Sequence, residues 1–233
     1  MKIPLNDPIW SRVYGPYGVQ NVNKDLANLM EKWDSKLADD LYFEKLHHQD
    51  DLYPVTYAAL PWLWDMRNAS GSYKIDLLCF ISHAISCATM ERLPSVPDGK
   101  FWGLTPDRST HSEFQTKLLA LENWFETNVQ NMANTCVDAI PAADKGAAFY
   151  LCSGFLNIRQ AENLSLALGL WHSEEKMSDI LEEAPPKATD VGHVHALLAR
   201  LNGSSTALTE FLSDWLSELD IAFSDHPDQM KLI

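Results

Sequence analysis

Apolar residues recur every three or four positions along most of the chain, with polar residues between them. In the first clear case, between residues 23 and 41, one apolar face is formed by Leu26, Leu29, Trp33, Leu37 and Leu41. This spacing is typical of amphipathic α-helices. It recurs in seven further segments, at residues 54–66, 73–91, 111–139, 143–156, 159–170, 191–201 and 205–223. No segment alternates apolar and polar residues strongly enough to argue a sheet, so the pattern predicts an all-α protein.

The stretch from Glu44 to Arg67 marks a corner between two of these helices. An apolar run closes at Leu46, and the polar residues 47–51 separate it from the next run, which opens at Pro54. Proline suits the first helical position, where its missing N–H has no intrahelical partner to lose, so we expect a helix to begin near Pro54. Pro61 lies inside that helix and predicts a kink, because it removes one backbone hydrogen bond.

The segment HHQDDLYPVTYAALPWLWDM, residues 47–66, is similar to a segment of bacterial HEAT-like or armadillo-like repeat proteins. The shared features are a polar turn, an aromatic residue and proline, an alanine-rich stretch, and then proline with a bulky apolar pair. The resemblance covers roughly the first 90 residues. It implies antiparallel helical hairpins stacked as a short α-α superhelix. It implies no activity, because the fold hosts many unrelated roles. A single irregular helical bundle is the alternative, since no strict repeat is visible.

The length of 233 residues fits one large domain or two small ones, and we interpret residues 1–233 as a single helical domain. Residues 1–22 are rich in proline, glycine and aromatic residues, which predicts an irregular arm packed on the first helices. Residues 93–110 contain three prolines and two glycines, which predicts a long loop. Loops of this length are often functional, so this loop is the first place to look for binding.

Charge and composition exclude some partners. The chain has 32 acidic and 18 basic residues, a net charge of −14, which opposes nucleic-acid binding because no basic stripe is available to contact phosphates. No apolar run is long enough to cross a membrane, and the first residues carry polar groups where a secretory signal would be apolar. We therefore predict a cytoplasmic protein without membrane association. Its four cysteines, which lack a paired spacing, are interpreted as buried reduced thiols.

A dense group of polar residues at the corner allows two interpretations. His47, His48 and Asp51 resemble the ligands of a metal-dependent hydrolase, and His83, which lies in an apolar helical segment, is a further ligand for such a site. Acidic residues just ahead of a helix are also explained by the positive end of the helix dipole. The sequence favours the second interpretation, so we expect no metal and no cofactor.

The predicted function is non-enzymatic binding of a protein or peptide, the usual role of helical superhelices. The candidate binding residues are the aromatic side chains of Tyr53, Trp62, Trp64 and Trp102, and the acidic charge favours a basic partner. No nucleophile elbow, phosphate-binding loop or dinucleotide motif argues for an enzyme. A metal-dependent hydrolase at His47, His48 and Asp51, and a toxin-neutralising or regulatory partner, are the alternatives. The sequence indicates no oligomeric state.

Overall fold

The computed structural model describes residues 2–48, 51–68, 74–90, 108–204 and 206–224. Within these residues it contains ten α-helices and one two-stranded sheet, which confirms the prediction of an all-α fold. None of the described helices is long and apolar enough to cross a membrane. The helices are α1 (Val22–Glu31), α2 (Ser35–Asp39), α3 (Pro54–Met66), α4 (Lys74–Met90), α5 (Arg108–Asp138), α6 (Lys145–Ile158), α7 (Glu162–His172), α8 (Met177–Glu183), α9 (Ala188–Leu201) and α10 (Ala207–Ser224).

Several short elements complete the fold. Two 3₁₀-helices cover Pro8–Ser11 and Ile140–Ala142, and a π-helix covers Asp40–Leu46. Strands β1 (His47–His48) and β2 (Asp51–Leu52) pair antiparallel, with His47 opposite Leu52 and His48 opposite Asp51. We call these paired strands the β-hairpin. They include His47, His48 and Asp51 of the expected polar turn, and the sequence pattern did not predict them.

Most predicted helices agree with the structure within a few residues. As expected, α3 begins at Pro54, and Pro61 lies inside it. The predicted loop at 93–110 extends too far, because α5 already begins at Arg108; residues 91–107, including Trp102, lie outside the described residues. The amino-terminal arm adds four buried side chains to the core, namely Ile3, Ile9, Trp10 and Val13.

The core is built around α4, which packs most extensively against α6, while α5 contacts both helices. At the centre of this contact the backbone N–H of Gly154 donates to Ser82 Oγ at 3.1 Å, and Ser82 Oγ donates to the carbonyl oxygen of Leu151 at 3.1 Å. A Cβ atom at Gly154 would lie only 2.6 Å from the carbonyl oxygen of Ser82, so glycine permits the close approach of the two helices. The stacking of the helical hairpins as a superhelix stays a prediction.

The corner between the π-helix and α3 is held by a buried threonine. The hydroxyl of Thr56 donates to the carbonyl oxygen of Leu46, at the end of the π-helix, and accepts the backbone N–H of Tyr53 at 3.1 Å. One side chain thus connects the end of one element to the start of the next. On the arm side, Gly15 passes so close to the carbonyl oxygen of Lys45 that a Cβ atom there would overlap it.

We predict that Thr56→Val lowers the free energy of unfolding by about 1–3 kcal/mol, because valine keeps the volume but leaves two backbone groups without the hydroxyl. Thr56→Ser keeps the hydroxyl and loses about 0.8 kcal/mol for one buried methyl group. Urea unfolding followed by circular dichroism measures both variants. A valine variant at least as stable as the serine variant would contradict the role of the hydroxyl.

The close contact between α4 and α6 leads to a second prediction. Gly154→Ala lowers the free energy of unfolding by about 1–3 kcal/mol, because the new methyl group meets backbone rather than a flexible side chain. Gly192→Ala on α9 is the matched control, since a Cβ atom there meets nothing within 4 Å. That variant gains about 0.5–1 kcal/mol from its helix propensity. Equal thermal stability of the two variants would show that α4 and α6 are not in close contact.

Candidate functional site

The aromatic residues predicted to bind a partner pack in or against the core, as far as they lie within the described part of the chain. Trp62 is half-buried and donates its indole N–H to the carbonyl oxygen of Ile3 at 2.8 Å. Trp64 is only 5% exposed, and Tyr53 is half-buried just before α3. The arm contacts α3 at Trp62, because Nζ of Lys2 also lies 4.0 Å from the centroid of the Trp62 ring. These three residues therefore form no exposed aromatic surface, and Trp102 lies outside the described residues.

Exposed aromatic rings are present elsewhere at the same corner. Seven large apolar side chains are exposed among the described residues, and two of them, Tyr17 and Phe43, contact the histidines of β1. Tyr17 is 60% exposed and its ring centroid lies 5.5 Å from that of His48. Phe43 is 55% exposed and its ring centroid lies 6.4 Å from that of His47. Neither ring is among the residues predicted to bind a partner.

Phe43 is surrounded in sequence by exposed carboxylates. We call the exposed side chains of Asp39, Asp40, Phe43 and Glu44 the acidic corner. Residues 39–51 contain five acidic residues and a single basic one, Lys45. The ammonium group of Lys45 is directed to Asp25, with Nζ 2.8 Å from Oδ2, and so ties the π-helix to α1. The charge at this corner is therefore strongly negative.

Burial raises the pKa values of several nearby groups, and neighbouring acidic groups raise them further. Burial raises the pKa of Tyr42 far above its ordinary value, and the charges of Asp76 and Asp39 raise it further. The pKa of Asp76 is also raised, first by burial and then by Asp39 and Asp144. The pKa of Tyr53 is raised by burial, by Asp51 and by Tyr17. All three pKa values are raised, because burial and neighbouring acidic groups both oppose a further negative charge.

The four residues considered as metal ligands fall into two groups. Nδ1 of His48 lies 3.2 Å from the hydroxyl oxygen of Tyr17, and Asp51 is exposed on the facing strand. Nε2 of His47 instead lies 2.9 Å from Nε2 of His83 on α4, with the two rings at 83°. The predicted trio of His47, His48 and Asp51 therefore does not converge, whereas His47 and His83 do.

A third ligand atom, from Cys87, completes a cluster that the sequence analysis missed. Its Sγ lies 3.5 Å from Nε2 of His83, one helical turn earlier on α4. The ligand atoms of His47, His83 and Cys87 all lie within 4.8 Å of one another, and we call this group the His–His–Cys cluster. Cys87 is buried and both histidines are half-buried. The available signal was the spacing of four residues between His83 and Cys87, which places both on one helix face.

Local structure explains how His47 reaches α4. The π-helix ends at Leu46, and the chain turns directly into β1, which pairs with β2; β2 in turn packs on α4. π-helical turns are rare and occur frequently at functional sites. In the contact between the two imidazoles one Nε2 donates and the other accepts. Two imidazoles and one thiolate are also ligands that borderline transition metals prefer.

Comparisons with known proteins do not identify the family. Neither family models, nor curated proteins, nor solved structures match this chain. The resemblance to HEAT-like and armadillo-like proteins therefore stays a prediction.

Proposed function

We propose that the chain is a non-enzymatic module that binds a basic protein or peptide through the acidic corner. The observation that carries the proposal is the Phe43 ring, 55% exposed on an element whose neighbouring exposed side chains are carboxylates. Aromatic residues dominate the binding energy of many interfaces. Carboxylates around such a ring select a partner by charge.

The acidic corner is supported from beneath, which favours binding. Three side chains of the same π-helix, Leu41, Tyr42 and Leu46, are buried in the core. Tyr42 stacks on Phe80 of α4, with ring centroids 4.5 Å apart and planes at 7°. A surface that is already ordered loses less conformational entropy when a partner binds. Phe43 is therefore presented by a fixed backbone rather than by a flexible loop.

The chemistry of the surface suits lysine or arginine side chains. Their aliphatic stems pack on an aromatic ring while the charged ends reach neighbouring carboxylates, and the cation is also attracted to the ring face. The net charge of −14 attracts a basic partner over a longer range and raises the rate of association. A cytoplasmic location and a HEAT-like arrangement of the hairpins belong to the same proposal, since such superhelices bind protein segments along one face.

We predict that Phe43→Ser weakens partner binding about tenfold or more, because a central aromatic side chain contributes about 1–2 kcal/mol or more at an interface. The measurement is affinity capture from a lysate of the source organism by the immobilised chain, followed by titration of the retained protein. Leu119→Ser is the matched control, because Leu119 is 57% exposed on α5, outside the acidic corner.

Charge supplies an independent test of the same surface. The double variant Asp40→Asn, Glu44→Gln keeps the shape of the acidic corner and removes two charges. It should reduce association with the retained protein and make it less sensitive to salt. Binding that is equal for wild type, Phe43→Ser and the double variant would refute the proposal, as would retention of acidic proteins only.

A further inference from the structure

We propose that His47, His83 and Cys87 bind a Zn²⁺ ion that joins the β-hairpin to α4. Imidazole nitrogen and thiolate sulfur are the usual zinc ligands in proteins. Here they are supplied by two separate parts of the chain, and their ligand atoms lie within 4.8 Å of one another. This inference is independent of the proposed binding function.

The distances between the ligand atoms are close to those of a zinc site. A tetrahedral ion about 2.0–2.1 Å from nitrogen and about 2.3 Å from sulfur holds two nitrogens about 3.3 Å apart and a nitrogen and sulfur about 3.6 Å apart. The two Nε2 atoms are 2.9 Å apart, and Nε2 of His83 is 3.5 Å from Sγ of Cys87. The nitrogens need to separate by about 0.4 Å to meet that geometry. The ligand atoms of His47 and Cys87 lie within 4.8 Å of each other, and this distance is about 3.6 Å when both bind one ion.

Two of the three ligands are arranged in advance. His83 and Cys87 lie four residues apart on α4, so their side chains share one face of a helix. That helix is held firmly by its extensive packing against α6. The third ligand, His47, lies 36 residues from His83 in sequence and is positioned by β1, directly after the π-helix. The ion would therefore cross-link two elements that the fold already places in contact.

Cys87 differs from the other buried thiols in its neighbours. A thiolate in an apolar setting needs a nearby positive charge, and burial alone raises a thiol pKa. Cys79 and Cys152 illustrate the ordinary case, because burial raises the pKa of each to about 12 and leaves them protonated at neutral pH. Cys87 differs in having an imidazole nitrogen 3.5 Å from its sulfur. Zn²⁺ would deprotonate the thiol and neutralise the resulting charge.

Three protein ligands leave one tetrahedral position for a further donor, such as water. The same ion would restrain the His47 ring, whose centroid lies 6.4 Å from that of Phe43. It would thus stabilise the backbone that presents the acidic corner. The test of metal binding does not depend on this effect on the acidic corner.

The experiment measures metal content and ligand identity in the full chain, prepared without a histidine tag. Elemental analysis should give one Zn²⁺ per chain. Replacement by Co²⁺ should give the intense visible bands of a tetrahedral ion and a sulfur-to-cobalt charge-transfer band. Chelation of the Zn²⁺ form should lower Tm by about 5–10 °C, as expected for loss of a ligand present far above its Kd.

Matched variants separate the cluster from adventitious binding. Cys87→Ser should abolish the charge-transfer band, and His83→Asn should weaken Co²⁺ binding about tenfold or more. Cys79→Ser, on the same helix, and His48→Asn, beside His47, should leave both properties unchanged. Circular dichroism checks that each variant is folded.

Several results would overturn the proposal. Absence of the charge-transfer band in the wild-type chain would overturn it. This outcome does not depend on whether any variant folds. A charge-transfer band that persists in the folded Cys87→Ser variant, or that disappears in the folded Cys79→Ser variant, would overturn it too. Partner capture by the acidic corner is measured separately, so failure of that binding leaves the metal result standing.

Discussion

The hydroxyl of Thr56 is the contact on which the corner of this protein depends. Backbone groups removed from water need hydrogen-bond partners, and here one buried side chain supplies them for the end of the π-helix and the start of α3. Leu46 directly precedes β1 and Tyr53 directly follows β2, so the Thr56 hydroxyl holds the two ends of the β-hairpin together. The hairpin packs with β2 on α4 and places His47 beside His83.

The same corner concentrates negative charge and cation ligands in one place. Carboxylates at Asp39, Asp40 and Glu44 carry like charge within a short stretch of the chain and repel one another. Neighbouring like charge also appears in the raised pKa of Asp76, after the larger effect of burial. A basic segment at the surface and a divalent ion in the His–His–Cys cluster would each relieve this repulsion. The two sites are chemically distinct, since one uses an exposed ring and carboxylates and the other uses imidazoles and a thiol.

Close helix packing supplies the frame for this corner. Gly154 allows α6 to approach α4 until a backbone amide of one helix meets the Ser82 hydroxyl of the other. Dispersion forces depend steeply on distance, so such an approach stabilises both helices and fixes the position of α4. His83 and Cys87 are therefore held on the helix that packs most extensively in the core, and His47 reaches them from β1.

Several features of this protein follow from local interactions and can be recognised in the sequence alone. Helical spacing of apolar residues predicted the all-α class, and proline, whose missing N–H suits the first helical position, predicted the start of α3 at Pro54. The surroundings of the candidate site residues depend on contacts between distant parts of the chain. The carbonyl oxygen of Ile3 in the amino-terminal arm accepts the indole N–H of Trp62, and Phe43 is exposed on a π-helix whose Leu41, Tyr42 and Leu46 are buried. Cys87 joined His83 and His47 only because folding brings residues 36 positions apart into contact. Periodicity reports which face of a helix is apolar, but what covers that face depends on distant parts of the chain.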